Sequence, residues 1–107
     1  MLLKEHEKAA LLEFKKILQE NYRLLDFRIF GSKARGEDSP DSDIDVMIKL
    51  PEITHSIENE INQIIFDINL KNDCFISVVL FGEKELKEGP MDQSPLYRTI
   101  EREGIPL

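Results

Sequence analysis

The stretch from residue 27 to residue 48 most constrains how this chain can fold. Residues 27–30 form a short strand-like run that stops at Gly31-Ser32, where a chain can turn sharply and begin a short helix with free backbone N–H groups. Residues 42–48 form a second run, in which polar and apolar residues alternate. Because side chains alternate between faces along a strand, Asp43 and Asp45 share one face and the apolar residues share the other. The sequence predicts two strands joined by a turn beside an acidic face.

The residue types at this turn and strand favour phosphate and metal chemistry. Gly31 lets a phosphate approach the backbone closely, and Ser32 adds a hydroxyl. Asp43 and Asp45 would lie about 7 Å apart along the strand, and Mg²⁺ accepts carboxylate oxygens together with substrate phosphates. The alternatives are an ordinary turn with a serine cap, and two charges on an edge strand that discourage aggregation. We predict metal-assisted transfer from a nucleoside triphosphate, with both aspartates as metal ligands.

We consider supporting roles for three of the residues that follow Ser32, namely Lys33, Arg35 and Gly36. Arg35 lies one helical turn beyond Ser32, from where its guanidinium either reaches phosphate charge or is solvated. Lys33 is a weaker candidate for the same contact. Gly36 is expected to provide the tight exit from the short helix. His6 and His55 are interpreted as surface or capping residues.

The same residues carry a resemblance to a known family. The matching positions are Gly31, Ser32, Ala34, Arg35 and Gly36, followed by Ser42, Asp43, Ile44 and Asp45. This combined spacing resembles the signature of the DNA polymerase β nucleotidyltransferase superfamily, and in particular its minimal nucleotidyltransferases. The end of the chain, residues 94–105, is similar to the closing helix of these proteins.

The resemblance implies a polymerase β palm-like fold and a two-metal site. In that family the Gly-Ser pair binds the triphosphate, the two aspartates hold two divalent metals, and a neighbouring strand supplies a third carboxylate. Ser77 occupies the position that matches this third carboxylate, and a neutral hydroxyl is a weak Mg²⁺ ligand. Asp73 and Asp67 are the two residues that could substitute for it.

The length and composition of the chain limit the remaining classes of function. The 107 residues suit a single domain spanning 1–107. Fourteen basic residues against 21 acidic residues give a net charge of −7, which opposes nucleic-acid binding. Cys74 is the only cysteine, so an intrachain disulfide is excluded and a reducing compartment is expected. Apolar stretches are too short to span a membrane, and we predict a soluble, cytoplasmic protein.

The periodicity of apolar residues predicts an α/β (α+β) fold with a small mixed sheet and helices mainly on one face. Helices are expected at 3–21, from 54 or 56 to 70, and at 95–103 after Ser94 as N-cap, with a short helix starting at Gly31-Ser32 and another at 83–87. Strands are expected at 25–30, 42–48 and 75–81. The almost continuously apolar third strand is expected to be covered on both faces. The face that carries Asp43 and Asp45 should stay open for nucleotide.

Together these features predict a Mg²⁺-dependent enzyme that binds ATP through Gly31, Ser32 and Arg35 and transfers AMP to a hydroxyl. The resemblance implies an antitoxin-type protein whose partner is a small helical HEPN ribonuclease that carries the acceptor. Self-association is also expected, because a chain this short leaves one side of the site without an acceptor pocket. The alternatives are a degenerate nucleotidyltransferase fold that neutralises a toxin by contact alone, which Ser77 favours, and a drug-modifying nucleotidyltransferase.

Overall fold

The computed structural model describes residues 3–36, 43–88 and 94–107. The helices are α1 (Glu5–Asn21), α2 (Gly31–Arg35), α3 (His55–Asn72), α4 (Glu83–Glu88) and α5 (Pro95–Glu103). The strands are β1 (Asp26–Phe30), β2 (Ile44–Leu50), β3 (Ile76–Gly82) and β4 (Ile105–Pro106). The start of the second strand, predicted at Ser42, lies outside the described residues.

The four strands form one mixed sheet in the order β3-β2-β1-β4. Strand β1 runs antiparallel to both β2 and β4, whereas β2 and β3 are parallel and are connected through α3. Strand β2 therefore lies inside the sheet with a neighbour on each side. The mixed sheet predicted from the sequence is confirmed.

Helices α1 and α3 cover one face of this sheet. Apolar residues at helical spacing in both helices pack onto the inward-facing residues of the strands, as the periodicity predicts. The buried cluster comprises Ala10, Leu11, Phe14, Leu18, Phe27, Ile29, Ile44, Val46, Ile48, Leu50, Ile61, Ile65, Ile68, Cys74 and Ile76. Burial of this size is the main source of stability in a small domain.

The opposite face is covered over only part of its area. A second cluster consists of Met47, Phe81, Leu86, Tyr97 and Ile100, so α4 and α5 pack against the far half of β2 and β3. The Tyr97 ring contacts the Phe81 ring edge-on, with 5.0 Å between the centroids, and Lys49 Nζ lies 3.1 Å from Tyr97 Oη. The half that carries Asp45 has no such cover from the described helices.

Helix boundaries follow the capping residues that the sequence contains. Thr54 Oγ1 accepts a hydrogen bond from the Ile57 N–H at 3.1 Å, and Ser94 Oγ accepts one from the Tyr97 N–H at 3.4 Å. Each bond satisfies an N–H that the first turn of a helix leaves unpaired. Helix α5 ends before Gly104, as predicted.

Two features of the sheet differ from the prediction. Strand β4 was missed, because two residues are too few to show periodicity. The expectation that the third strand is covered on both faces is wrong for its first half, since β3 lies at the sheet edge and Ser77 is exposed. Helix α5 has nine residues and covers only the second half of that face.

None of the helices in the described part of the chain is both long and apolar enough to cross a membrane.

Candidate functional site

Three adjacent strands bring the predicted site residues to one place on the partly covered face. Asp45 on β2 pairs in register with Phe30 on β1 and with Ser77 on β3. Phe30 is followed directly by Gly31 and α2. Across the sheet, the order is therefore the Gly31-Ser32 turn, then Asp45, then Ser77.

The turn after β1 depends on two glycines with left-handed backbone angles. Gly31 has φ 76° and begins α2, and Gly36 has φ 72° and ends it. A Cβ placed on Gly31 would lie 2.5 Å from Asp45 Oδ2, so the Asp45 carboxylate lies directly against the backbone of the turn. Ser32 follows in the first turn of α2 and is partly exposed. This contact joins the phosphate-type turn to the acidic strand.

The electrostatic surroundings of Asp45 connect it to two other predicted residues. Partial burial raises the pKa of the Asp45 carboxyl group, the negative charge of Asp43 raises it further, and the positive charge of Arg35 opposes both effects. The charges of Arg35 and Asp43 therefore act on the same Asp45 carboxylate that lies against Gly31. A pair of repelling carboxylates beside an anion-accepting turn fits Mg²⁺ with bound phosphates.

Asp45→Asn should stabilise the metal-free fold at neutral pH. Because the pKa of Asp45 is higher in the folded chain, its ionised form carries a penalty at neutral pH that shrinks as pH falls through the folded pKa and vanishes below the unfolded value of about 3.9. We expect a higher melting temperature, with a gain that solvent screening keeps small at this partly exposed site. Thermal melts in chelator at neutral pH and near pH 4 check this; an unchanged or lower melting temperature at neutral pH would contradict it.

Gly31→Ala should weaken nucleotide binding through a displaced Asp45. The methyl group meets the Asp45 carboxylate, and the left-handed angle adds roughly 1–2 kcal/mol of backbone strain. Gly36→Ala is the matched control, because Gly36 has a similar φ and no atom within 4 Å of the added Cβ. Both variants should lose comparable stability in thermal melts, whereas only Gly31→Ala should lose Mg²⁺-dependent ATP affinity in calorimetry. Equal affinities for the two variants would contradict this.

Lys33 occupies a different position from the one considered in the sequence analysis. Its side chain is fully buried beneath α2, with Nζ 3.9 Å from Glu7 Oε2, so it does not lie on the partly covered face. Glu7 also accepts the Lys4 N–H at 2.8 Å at the start of α1. Glu7 is itself buried, and the ion pair with Lys33 compensates that burial.

Neither Asp67 nor Asp73 supplies the third carboxylate of the candidate metal site. Asp67 is exposed on α3 and accepts a hydrogen bond from Gln63 at 3.0 Å, and Asp73 is exposed at the end of α3 with φ 51°. Among the residues that the structure describes, no group of three or more His, Cys, Asp or Glu side chains could hold a metal. Ser77, in register with Asp45, remains at the expected position of the missing ligand.

A cavity of about 390 Å³ lies at the opposite end of β2. Its lining residues are Tyr22, Arg23, Leu50, Pro51, Glu52, Ile57 and Lys84. Leu50 is the last residue of β2, whereas Asp45 lies near its start. This cavity lacks the paired aspartates and is separate from the candidate site.

The model of the nucleotidyltransferase domain family matches residues 11–105, so this chain belongs to that family. Among curated relatives, a candidate protein adenylyltransferase, MJ1215 of Methanocaldococcus jannaschii, is 49% identical over 45 residues, which cover 42% of this chain and 52% of that protein. MJ1379 from the same organism, described in the same way, is 44% identical over 45 residues, covering 42% and 45%. Protein adenylyltransferase MntA of Thermococcus cleftensis is 38% identical over 53 residues, covering 50% and 54%.

The matched segment spans about half the length of these relatives. Two solved structures show that the fold itself is shared. One, described as a candidate minimal nucleotidyltransferase, has a TM-score of 0.61 at 24% identity and covers 94% of this chain and 91% of its own. The other, a toxin-antitoxin crystal structure with AMP-PNP, has a TM-score of 0.61 at 19% identity and covers 90% and 70%. The nucleotidyltransferase fold predicted from the sequence is confirmed.

Proposed function

We propose that this chain is a Mg²⁺-dependent nucleotidyltransferase that binds ATP and transfers AMP to a hydroxyl group of a partner protein. One observation carries the proposal: the Asp45 carboxylate lies against the Gly31 backbone, with Asp43 and Arg35 close enough to shift its pKa. That arrangement places metal-type ligands beside a phosphate-type turn. The name of the Thermococcus cleftensis relative, protein adenylyltransferase MntA, supports AMP transfer.

Each residue of the candidate site has a proposed role in nucleotidyl transfer. Asp43 and Asp45 would hold the divalent cations, and Gly31, Ser32 and Arg35 would bind the phosphates. When bound, the metal supplies charge stabilisation of the reacting phosphoryl group. The acceptor oxygen forms a bond to the α-phosphorus and gives up its proton, while the bond from that phosphorus to the bridging oxygen breaks and its electron pair leaves with pyrophosphate. Arg35 would offset the charge of that leaving group.

The proposed partner is a protein that carries the acceptor, and the toxin-antitoxin structure with the same fold supports this. We propose an antitoxin role with a small helical HEPN-type protein.

A second candidate function is contact-only neutralisation of a toxin. Ser77 in place of the third carboxylate favours it, since the described residues contain no three-ligand metal group.

ATP labelled at the α or the γ phosphate separates these functions. Incubated with Mg²⁺ and an extract of the source organism, the purified chain should label a protein from α-labelled ATP and not from γ-labelled ATP. Label from the γ position would indicate phosphoryl transfer instead. A chain that binds Mg²⁺·ATP and labels no protein from either position would favour the contact-only function.

A further inference from the structure

The outer edge of β3 carries an exposed apolar surface that the site described above does not use. Phe66 and Leu70 lie one turn apart on α3 and are 60% and 74% exposed, and Phe75, just before β3, is 68% exposed. Large apolar side chains exposed near one another are a feature of interaction sites. We define these three residues, with the free edge of β3, as the β3-edge surface.

The three residues belong to one junction of the fold. The Asn69 side chain accepts the Ile76 N–H at 2.9 Å and donates to the Ile76 carbonyl oxygen at 3.1 Å, which ties the last turn of α3 to the start of β3. Leu70 follows Asn69 and Phe75 precedes Ile76. Molecules that cover this edge would therefore meet apolar groups on both the helix side and the site side.

The strand itself also lacks protection against pairing. Strand β3 is at the sheet edge, and its sequence, ISVVLFG, contains no charge and no proline. Edge strands of monomeric proteins usually carry such residues, because the unpaired backbone groups otherwise recruit another chain. The edge thus has the composition of a strand that another molecule covers.

The position of this surface relative to Asp45 indicates which molecule that is. The Gly31-Ser32 turn lies on the β1 side of Asp45, and Ser77 lies on the β3 side. In-line transfer requires the leaving and attacking oxygens on opposite sides of the phosphorus. If pyrophosphate is bound at the turn, the incoming hydroxyl must therefore approach from the β3 side. Phe75 lies on the same face as Ser77 at this side, because side chains two residues apart point the same way.

We propose that the β3-edge surface docks the acceptor protein, an inference that rests on the proposed function. The acceptor protein contributes a segment that contains apolar side chains, flanking basic residues and the acceptor hydroxyl. The basic residues are inferred from Asp73, which is exposed two residues before Phe75, and from the net charge of −7. The same net charge repels a second copy of this chain.

The test compares glutamine substitutions of exposed apolar residues at opposite sheet edges. Phe66→Gln with Leu70→Gln alters the β3-edge surface with residues that favour helix. Leu12→Gln is the control: Leu12 is 61% exposed on α1 and lies with Leu107, beyond β4. Each is assayed for protein labelling from α-labelled ATP in the source extract, for Mg²⁺·ATP affinity by calorimetry, and for mass by sedimentation.

We expect the β3-edge variant to lose labelling by about tenfold or more, the size typical of central interface residues, with ATP affinity and mass unchanged and the control at the wild-type level. Labelling equal to wild type would overturn the docking proposal and leave the transferase function intact. A wild-type dimer that the variant converts to monomer would assign the surface to a second copy and overturn it as well. Absence of any labelled protein with wild type would overturn the transferase function and this inference together.

Discussion

Replacing both Asp43 and Asp45 with asparagine should abolish Mg²⁺-dependent ATP binding and reduce nucleotidyl transfer by roughly 1000-fold. Both carboxylates are proposed metal ligands and Asp45 lies against the turn, and charge stabilisation by a bound metal is worth several kcal/mol in the transition state. Asparagine keeps the shape of each side chain, so the change isolates the charge. Calorimetry with ATP, with and without Mg²⁺, measures the binding part.

A matched control removes two carboxylates elsewhere. Glu20→Gln with Asp67→Asn changes the net charge by the same amount at exposed positions of α1 and α3. This control should bind Mg²⁺·ATP as the wild type does. If the Asp43 and Asp45 variant bound equally well, the site assignment would be wrong.

Ser77→Asp should raise nucleotidyl transfer by roughly 100-fold. The register places residue 77 beside Asp45, so the new carboxylate would give the metal site a third charged ligand, and ~3 kcal/mol of added transition-state stabilisation corresponds to this factor. Ser77 is exposed at the sheet edge, which removes the cost of a buried unpaired charge that a core position would impose. Labelled-ATP transfer to the acceptor protein measures the gain.

Two further variants determine whether that gain comes from charge at the metal site. Ser77→Asn matches the size of aspartate without its charge and should stay at the wild-type rate. Adding Asp45→Asn to Ser77→Asp should remove the gain, because the adjacent ligand is lost. In thermal melts, Ser77→Asp should be less stable than wild type in chelator and should recover with Mg²⁺. A folded Ser77→Asp chain that is no faster than wild type would show that Ser77 does not limit catalysis.

Much of the candidate site follows from local sequence rules. Period-two alternation is enough to put Asp43 and Asp45 on one face, and Gly31 followed by a short helix predicts the turn, because a left-handed backbone angle there favours glycine. The strand register then places Asp45 beside Ser77, which the sequence could suggest only through the family resemblance.

Other features depend on packing between distant segments, which residue patterns do not encode. Lys33 and Glu7 each look like surface charges in their own helices, and they are buried only because α2 lies over the start of α1. An apolar run such as β3 has the same composition at the edge or in the centre of a sheet, so its exposed first half was not predicted. The exposure of Phe66 and Leu70 was missed for a related reason: helical periodicity does not show which flank of α3 lacks a neighbour.

The most direct test of the central claim is where on the fold Mg²⁺·ATP binds. With Mn²⁺ replacing Mg²⁺, ATP bound at the candidate site should broaden the backbone amide NMR signals of residues near the metal, at Gly31, Asp45 and Ser77 first. The same titration on the Asp43→Asn, Asp45→Asn chain should leave those signals sharp. Broadening centred on Arg23 and Lys84, at the cavity beyond the other end of β2, would contradict the account.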